Sequence, residues 1–146
     1  MQFKLFELKN INLIVYSNEK SKFDLIKEIL KHDLKIIYID IDLVISGYII
    51  SDVLKPDADL ELVIIEDLSK LEQVLAELFM NIDDNIIILD SLDTLSILYN
   101  DHFSSICISF ILSNLKYSRS RLIIMSRSTK RFLDKVIENV IYIDNI

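Results

Sequence analysis

Six short apolar runs, rich in Ile, Leu and Val, punctuate the chain: "INLIVY" (11–16), "KIIYID" (35–40), "LELVIIE" (60–66), "NIIILD" (85–90), "RLIIMS" (121–126) and "VIYID" (140–144). Short, β-branched and bounded by polar clusters, each is a predicted strand. An apolar run without alternation is the pattern of a strand covered on both faces. Amphipathic segments at helical spacing separate the runs. The predicted fold class is therefore α/β, a three-layer α/β/α sandwich on a mainly parallel sheet with right-handed crossovers.

Residues 21–32 put Phe23, Ile26, Ile29 and Leu30 on one helical face, with Ser21 as N-cap and Asp24 as its capping-box partner. Residues 67–81 carry Leu71, Val74, Leu75, Leu78 and Phe79 at the same spacing, with Ser69 and Glu72 as a second capping box. A long helix is predicted over 101–117, with Phe103, Ile106, Cys107, Phe110 and Ile111 on one face, and a last one over 129–139. The stretch 43–60 has room for a short helix ending before Pro56. Ligands in such folds sit beyond the carboxyl ends of the strands, the edge to which Asp40, Asp42, Asp90, Ser91 and Ser126 belong.

At 146 residues the chain is read as a single domain, 1–146, and 51% hydrophobic with 27% charged residues is a globular composition rather than a disordered one. Charges such as Asp40, Asp42, Glu66 and Asp90 interrupt every apolar stretch, so no membrane span is expected. The opening "MQFKLFELKN" lacks a secretory pattern, and a cytoplasmic location is the expectation. Cys107 falls inside an apolar helical pattern and reads as a small buried hydrophobe. His32 and His102 are far apart and no Cys/His pair has ligand spacing, so neither metal nor cofactor is expected.

The net charge of −7 argues against a nucleic-acid partner, but its distribution is uneven. Lys116, Arg119, Arg121, Arg127, Lys130, Arg131 and Lys135 face only Asp134 between residues 116 and 137, a local balance of +6 that leaves −13 elsewhere. Such asymmetry marks a candidate interface or nucleic-acid-binding segment.

The order of elements, the strand end "IIILDSLDTL", the helix after it, "RLIIMS" and the final "VIYID" together resemble the ATPase core of the RecA/KaiC-like superfamily, over roughly residues 11–144. The resemblance implies a RecA-like core in which the aspartate at Asp90 orients magnesium and the attacking water, with Ser91 near the phosphates. It also implies a phosphate loop of pattern Gly-x-x-x-x-Gly-Lys-[Ser/Thr] between the first strand and first helix. That place reads "YSNEKSKF" (16–23). Lys22 falls at the lysine, but Tyr16 and Ser21 replace both glycines and Phe23 replaces the metal-binding hydroxyl. Side chains at the glycine positions block the backbone N–H groups that wrap phosphates. Glu19 and Asp24 add carboxylates where a triphosphate would sit.

The degenerate nucleotide site thus comprises Tyr16, Ser21, Lys22, Phe23, Asp42, Asp90 and Ser91, with Asp42 nearest to the family's general base and Tyr16 and Phe23 filling the space beneath the lost loop. The plainer reading makes Asp40 and Asp42 solvated strand-end carboxylates and Asp90 a turn cap. No catalytic residue is assigned, and the expected protein is not an enzyme. The first functional reading is a non-catalytic RecA/KaiC-like domain serving as an interaction or regulatory subunit of an ATPase assembly, as a homo-oligomer or beside an active relative. The alternative is a nucleic-acid-binding accessory protein of the recombinase-paralogue kind, using the 116–137 segment. A different enzyme at the strand ends ranks last, since no Ser/His/Asp set is identifiable.

Overall fold

A computed structural model describes residues 7–64, 70–80, 82–116 and 118–143. Six strands, β1 (Ile11–Tyr16), β2 (Lys35–Asp40), β3 (Asp59–Val63), β4 (Ile86–Asp90), β5 (Arg121–Ser126) and β6 (Asn139–Ile143), form one sheet in the order β3-β2-β4-β5-β1-β6. Every neighbouring pair is parallel. The helices are α1 (Glu19–Leu30), α2 (Val44–Ile50), α3 (Leu71–Phe79), α4 (Leu92–Leu98) and α5 (Asp101–Leu115). The fold is the three-layer α/β/α sandwich that unbroken apolar strands require.

The chain moves one way across the sheet from β1 through β2 to β3, then reverses to β4, β5 and β6. Right-handed crossovers therefore put α1 and α2 on one face and α3, α4 and α5 on the other. The packing agrees. Ile14, Tyr16, Ile36, Tyr38, Ile86, Ile88, Ile123 and Met125 meet Leu25, Ile26, Ile29 and Leu30 of α1 and Ile45 of α2. Leu13, Ile37, Ile39, Ile87, Leu89, Leu122 and Ile124 meet α3, α4 and α5 on the opposite face. Side chains of one strand thus feed two cores in alternation, each fully buried one worth roughly 1.5–3 kcal/mol.

Several boundaries differ from the sequence reading. Helix α1 begins at Glu19, capped by Asn18, whose side chain accepts the Ser21 N–H at 2.9 Å. Asn18 is extended and already turned to meet the helix, so Ser21 lies buried in the first turn and Asp24 faces solvent instead of forming a capping box. Strand β3 covers 59–63, and Ile65 and Glu66 of the predicted strand lie outside the described residues, as does the proposed cap Ser69. A short helix α4, capped by Ser91, precedes α5. On α5 the buried side is Ser104, Cys107, Ile108, Ile111 and Leu115, so Ile106 is exposed rather than part of the inner face.

The helix predicted over 129–139 is replaced by a single 3-10 turn, Arg131–Leu133. Reach explains this. Returning past a strand takes roughly 17–20 Å, while helix rises only about 1.5 Å per residue. Residues 127 and 128 are spent on hydrogen bonds at the carboxyl edge, and the remainder must run partly extended to reach β6. Leu133 of this turn is buried in the core.

Candidate functional site: an ion cluster at the carboxyl edge

Two pairs of adjacent strands send their outgoing connections to opposite faces: β2 beside β4, and β1 beside β5. Such switch points are where ligands enter open α/β sheets. Lys22, in the first turn of α1, reaches across from β1 toward the β2/β4 switch point.

An ammonium has three donors and no acceptor. The Lys22 ammonium donates to Asp90 Oδ1 at 2.9 Å and Asp42 Oδ2 at 3.1 Å, and Glu19 Oε2 lies 3.2 Å away as a third ion-pair partner. The Lys22 side chain is 1% exposed, and Nζ lies 5.0 Å from the centre of the Tyr16 ring, within cation–π range. Burial alone would lower the Lys22 pKa, but Asp90 and then Asp42 hold it above the ordinary lysine value. The ammonium is charged, and two carboxylates accept its hydrogen bonds.

Asp90 ends β4 and is Cα partner of Asp40 on β2. Its second oxygen accepts the hydroxyl of Tyr38, whose pKa burial and then the Asp90 charge raise well above the usual phenol value. Burial pushes Asp90 itself up to about 6, against Lys22 and Tyr38, which pull it down. Lys22 and Tyr38 both donate to its carboxylate, and the Lys22–Asp90 contact is an ion pair.

The Asp90 main-chain carbonyl accepts the N–H groups of Ile41 at 2.7 Å and Asp42 at 3.2 Å, pinning the turn after β2 to β4. Asp42 Oδ1 accepts the Ser91 hydroxyl at 3.0 Å. Burial would raise Asp42, yet Thr94, Lys22 and Ser91 hold it below the carboxylate range. The Asp90–Ser91 peptide is cis.

Asp40 and Asp42 are therefore not the solvated strand-end carboxylates of the plainer reading. Asp40 is fully buried and accepts the Ser46 N–H at 2.7 Å, serving the N-terminus of α2 from six residues upstream. Leu43, at the cap position of α2, has a left-handed φ of 63° and no side chain able to cap, which explains why the strand supplies the acceptor. Asp90 does not cap α4 either; that role belongs to Ser91, which accepts the Thr94 N–H at 3.4 Å.

Tyr16 is 2% exposed, and its ring packs beside the Lys22 ammonium. Phe23, expected beneath the lost loop, is instead half-buried and packs edge-on against Tyr48 of α2, with ring centres 4.9 Å apart. Ser21 is buried beside Lys22. Outside the cluster, Arg127 pairs with Glu19 at 2.7 Å and lies 5.4 Å from the Tyr16 ring on its own account. Its main-chain N–H donates to Asp93, which also takes the Ser126 hydroxyl at 3.4 Å. Sequence reasoning missed Tyr38, Asp93 and Thr94; in sequence, Tyr38 is one more apolar residue of a strand.

The basic segment is not one surface. Lys116, Arg119 and Arg121 lie at the end of α5 and the start of β5, at the amino edge, where Arg119 makes a two-point contact with Asp83 at 3.2 and 2.9 Å. Arg127 follows β5 at the carboxyl edge, roughly 17–20 Å away by the length of the strand. Lys130 and Arg131 sit in the return toward β6. Cys107 is buried, and burial pushes its thiol up to about 11, as a core cysteine requires.

Comparison with protein-family models, with curated proteins and with solved structures finds no match to this chain. Among the described residues, no helix is long and apolar enough to cross a membrane.

Proposed function

We propose that this chain is a non-catalytic domain of the RecA/KaiC-like kind, its nucleotide site replaced by an internal ion network, and that it acts as an interaction or regulatory subunit of an ATPase assembly. The observation that carries the reading is Lys22. At the position where the resemblance implies a phosphate-binding lysine, the ammonium hydrogen-bonds to Asp90 and Asp42 and forms an ion pair with Glu19. A triphosphate would have to displace carboxylates from a buried cation and would itself meet their charge, a cost of several kcal/mol for each ion left unpaired. The Tyr16 ring occupies room that the glycine of an intact loop would leave open.

A fold kept while its ligand groups turn inward suits a role carried by the outer surface. The nucleic-acid reading has less support. Its basic residues divide between the two ends of β5, and Arg119 and Arg127 are each paired with a carboxylate.

Equilibrium titration with a fluorescent ATP analogue and magnesium tests the reading, with Lys22→Ala alongside. No saturable binding below millimolar concentration is expected from either protein. Saturable, magnesium-dependent binding that Lys22→Ala abolishes would overturn it.

A further inference from the structure

Gly47 is the only glycine of the chain, and it stands in the middle of α2. A glycine inside a helix costs roughly 1 kcal/mol relative to alanine. Nothing inside the fold asks for it: its φ is not positive, and a Cβ built on it meets no described atom within 4 Å beyond its own helix. The other use of a glycine is to let a backbone be approached closely from outside. Gly47 lies on the exposed side of α2.

That side is apolar. Ile45 and Ser46 are buried under the helix, whereas Leu43, Val44, Ile50 and Ser51, three or four positions from Gly47, share its outward face, with Tyr48 alongside. Among the described residues, five of the twelve exposed large hydrophobics, Leu43, Val44, Tyr48, Ile50 and Val53, fall between 43 and 53, a stretch with one charge, Asp52. Leu43 is 53%, Ile50 77% and Val53 64% exposed. Hydrophobics exposed singly are ordinary, but a cluster marks an interaction site. The charges around it balance. Glu19 pairs with Arg127, Glu28 with Lys31 and Asp52 with Lys55, and the other exposed charges of α1 and of the loop after α2 are Lys20 and Lys27 against Asp24 and Asp57.

We propose that this face pairs with the same face of a second copy, two α2 helices crossing at Gly47 about a twofold axis. A close crossing needs a small residue on each helix, and a twofold axis supplies Gly47 from both. A chain of net charge −7 repels its own copies, and an uncharged face within a balanced rim is where two copies meet without that repulsion. Five such side chains make a patch on the order of 400–500 Å², and two of them face to face bury roughly the 1,000 Å² that a specific interface requires. The contact is isologous, so assembly stops at a dimer. The pairing rests on α2 alone and is independent of whether the Lys22 site excludes nucleotide.

Sedimentation velocity of the full chain, over a range of concentration and salt, tests the proposal. Wild type is expected to form a reversible dimer and nothing larger, and the dimer should persist as salt rises because its contact is apolar. Ile50→Lys, which sets a charge in the contact, and Gly47→Leu, which sets a side chain at the crossing, should each raise the dimer Kd about tenfold or more. Gly47→Leu also separates the interface from the fold. Leucine is the better helix former and meets no internal neighbour at this position, so at concentrations where both proteins are monomeric the variant should unfold at or above the wild-type urea midpoint. A monomeric wild type, a dimer indifferent to either change, species larger than a dimer, or a Gly47→Leu monomer less stable than wild type overturns the proposal.

Discussion

Two Lys/Arg–Asp contacts mark the two ends of the sheet. At the amino edge, Arg119 grips Asp83 with two hydrogen bonds of good geometry, yet the side chains are 74% and 68% exposed. At the carboxyl edge, Lys22 and Asp90 make one contact at 2.9 Å with side chains 1% and 0% exposed. Water replaces the first pair at little cost, whereas nothing replaces the second. Geometry alone would rank them the other way. Burial decides that Lys22 is committed to this protein's interior, while Arg119 and Asp83 hold a contact that is readily broken.

The largest effect in this comparison is expected from Lys22→Met, which leaves Asp90 and Asp42 without their cation and should cost about 3–5 kcal/mol in urea unfolding. Next comes Tyr16→Gly, which removes a buried ring and the cation–π contact; the expected loss is about 3–5 kcal/mol of the cavity kind, and no loss would mean the ring does not support the cluster.

Asp90 makes the same contrast visible in pH. Its folded pKa of about 6 lies above the value of about 3.8 for an unperturbed carboxyl, so the folded state holds this proton more tightly than the unfolded one. Its contribution is therefore full below about pH 4 and is lost as pH rises through about 6, a fall of up to roughly 3 kcal/mol. Asp42, held low, acts in the opposite sense: its contribution is present above the unfolded pKa and is lost as pH falls through the lower folded one. Unfolding measured from pH 4 to 7 should show the falling component in wild type and not in Asp90→Asn. The smallest effect belongs to Arg119→Ala, expected to leave the melting temperature unchanged.

The sheet was legible because its strands are buried on both faces and so read as unbroken apolar runs; "IIIL" before Asp90 can be little else. The carboxyl-edge residues were legible as a group for the same reason, since strand ends fix which side chains gather there. Their pairing was not. Asp40 and Asp42 look like loop acids until β2 is set beside β4 and α1 brings Lys22 across from a position far away in sequence. The helix expected over 129–139 likewise carried no information on how far the chain must travel between β5 and β6, where the structure has only a 3-10 turn. The cap of α1 was read one turn late: Asn18, not Ser21, accepts the first free N–H, and both are residue types that cap well.

The measurement closest to the central claim is a double-mutant cycle between Lys22 and Asp90, using Lys22→Met, Asp90→Leu and the pair in equilibrium unfolding. If the Lys22 ammonium belongs to the interior, each single change strands a buried charge and the double change recovers the part of the loss that belongs to the pair, giving a coupling energy of about 2 kcal/mol or more. Additive single effects, with coupling near zero, would mean that Lys22 is not held by Asp90 and remains available to a phosphate.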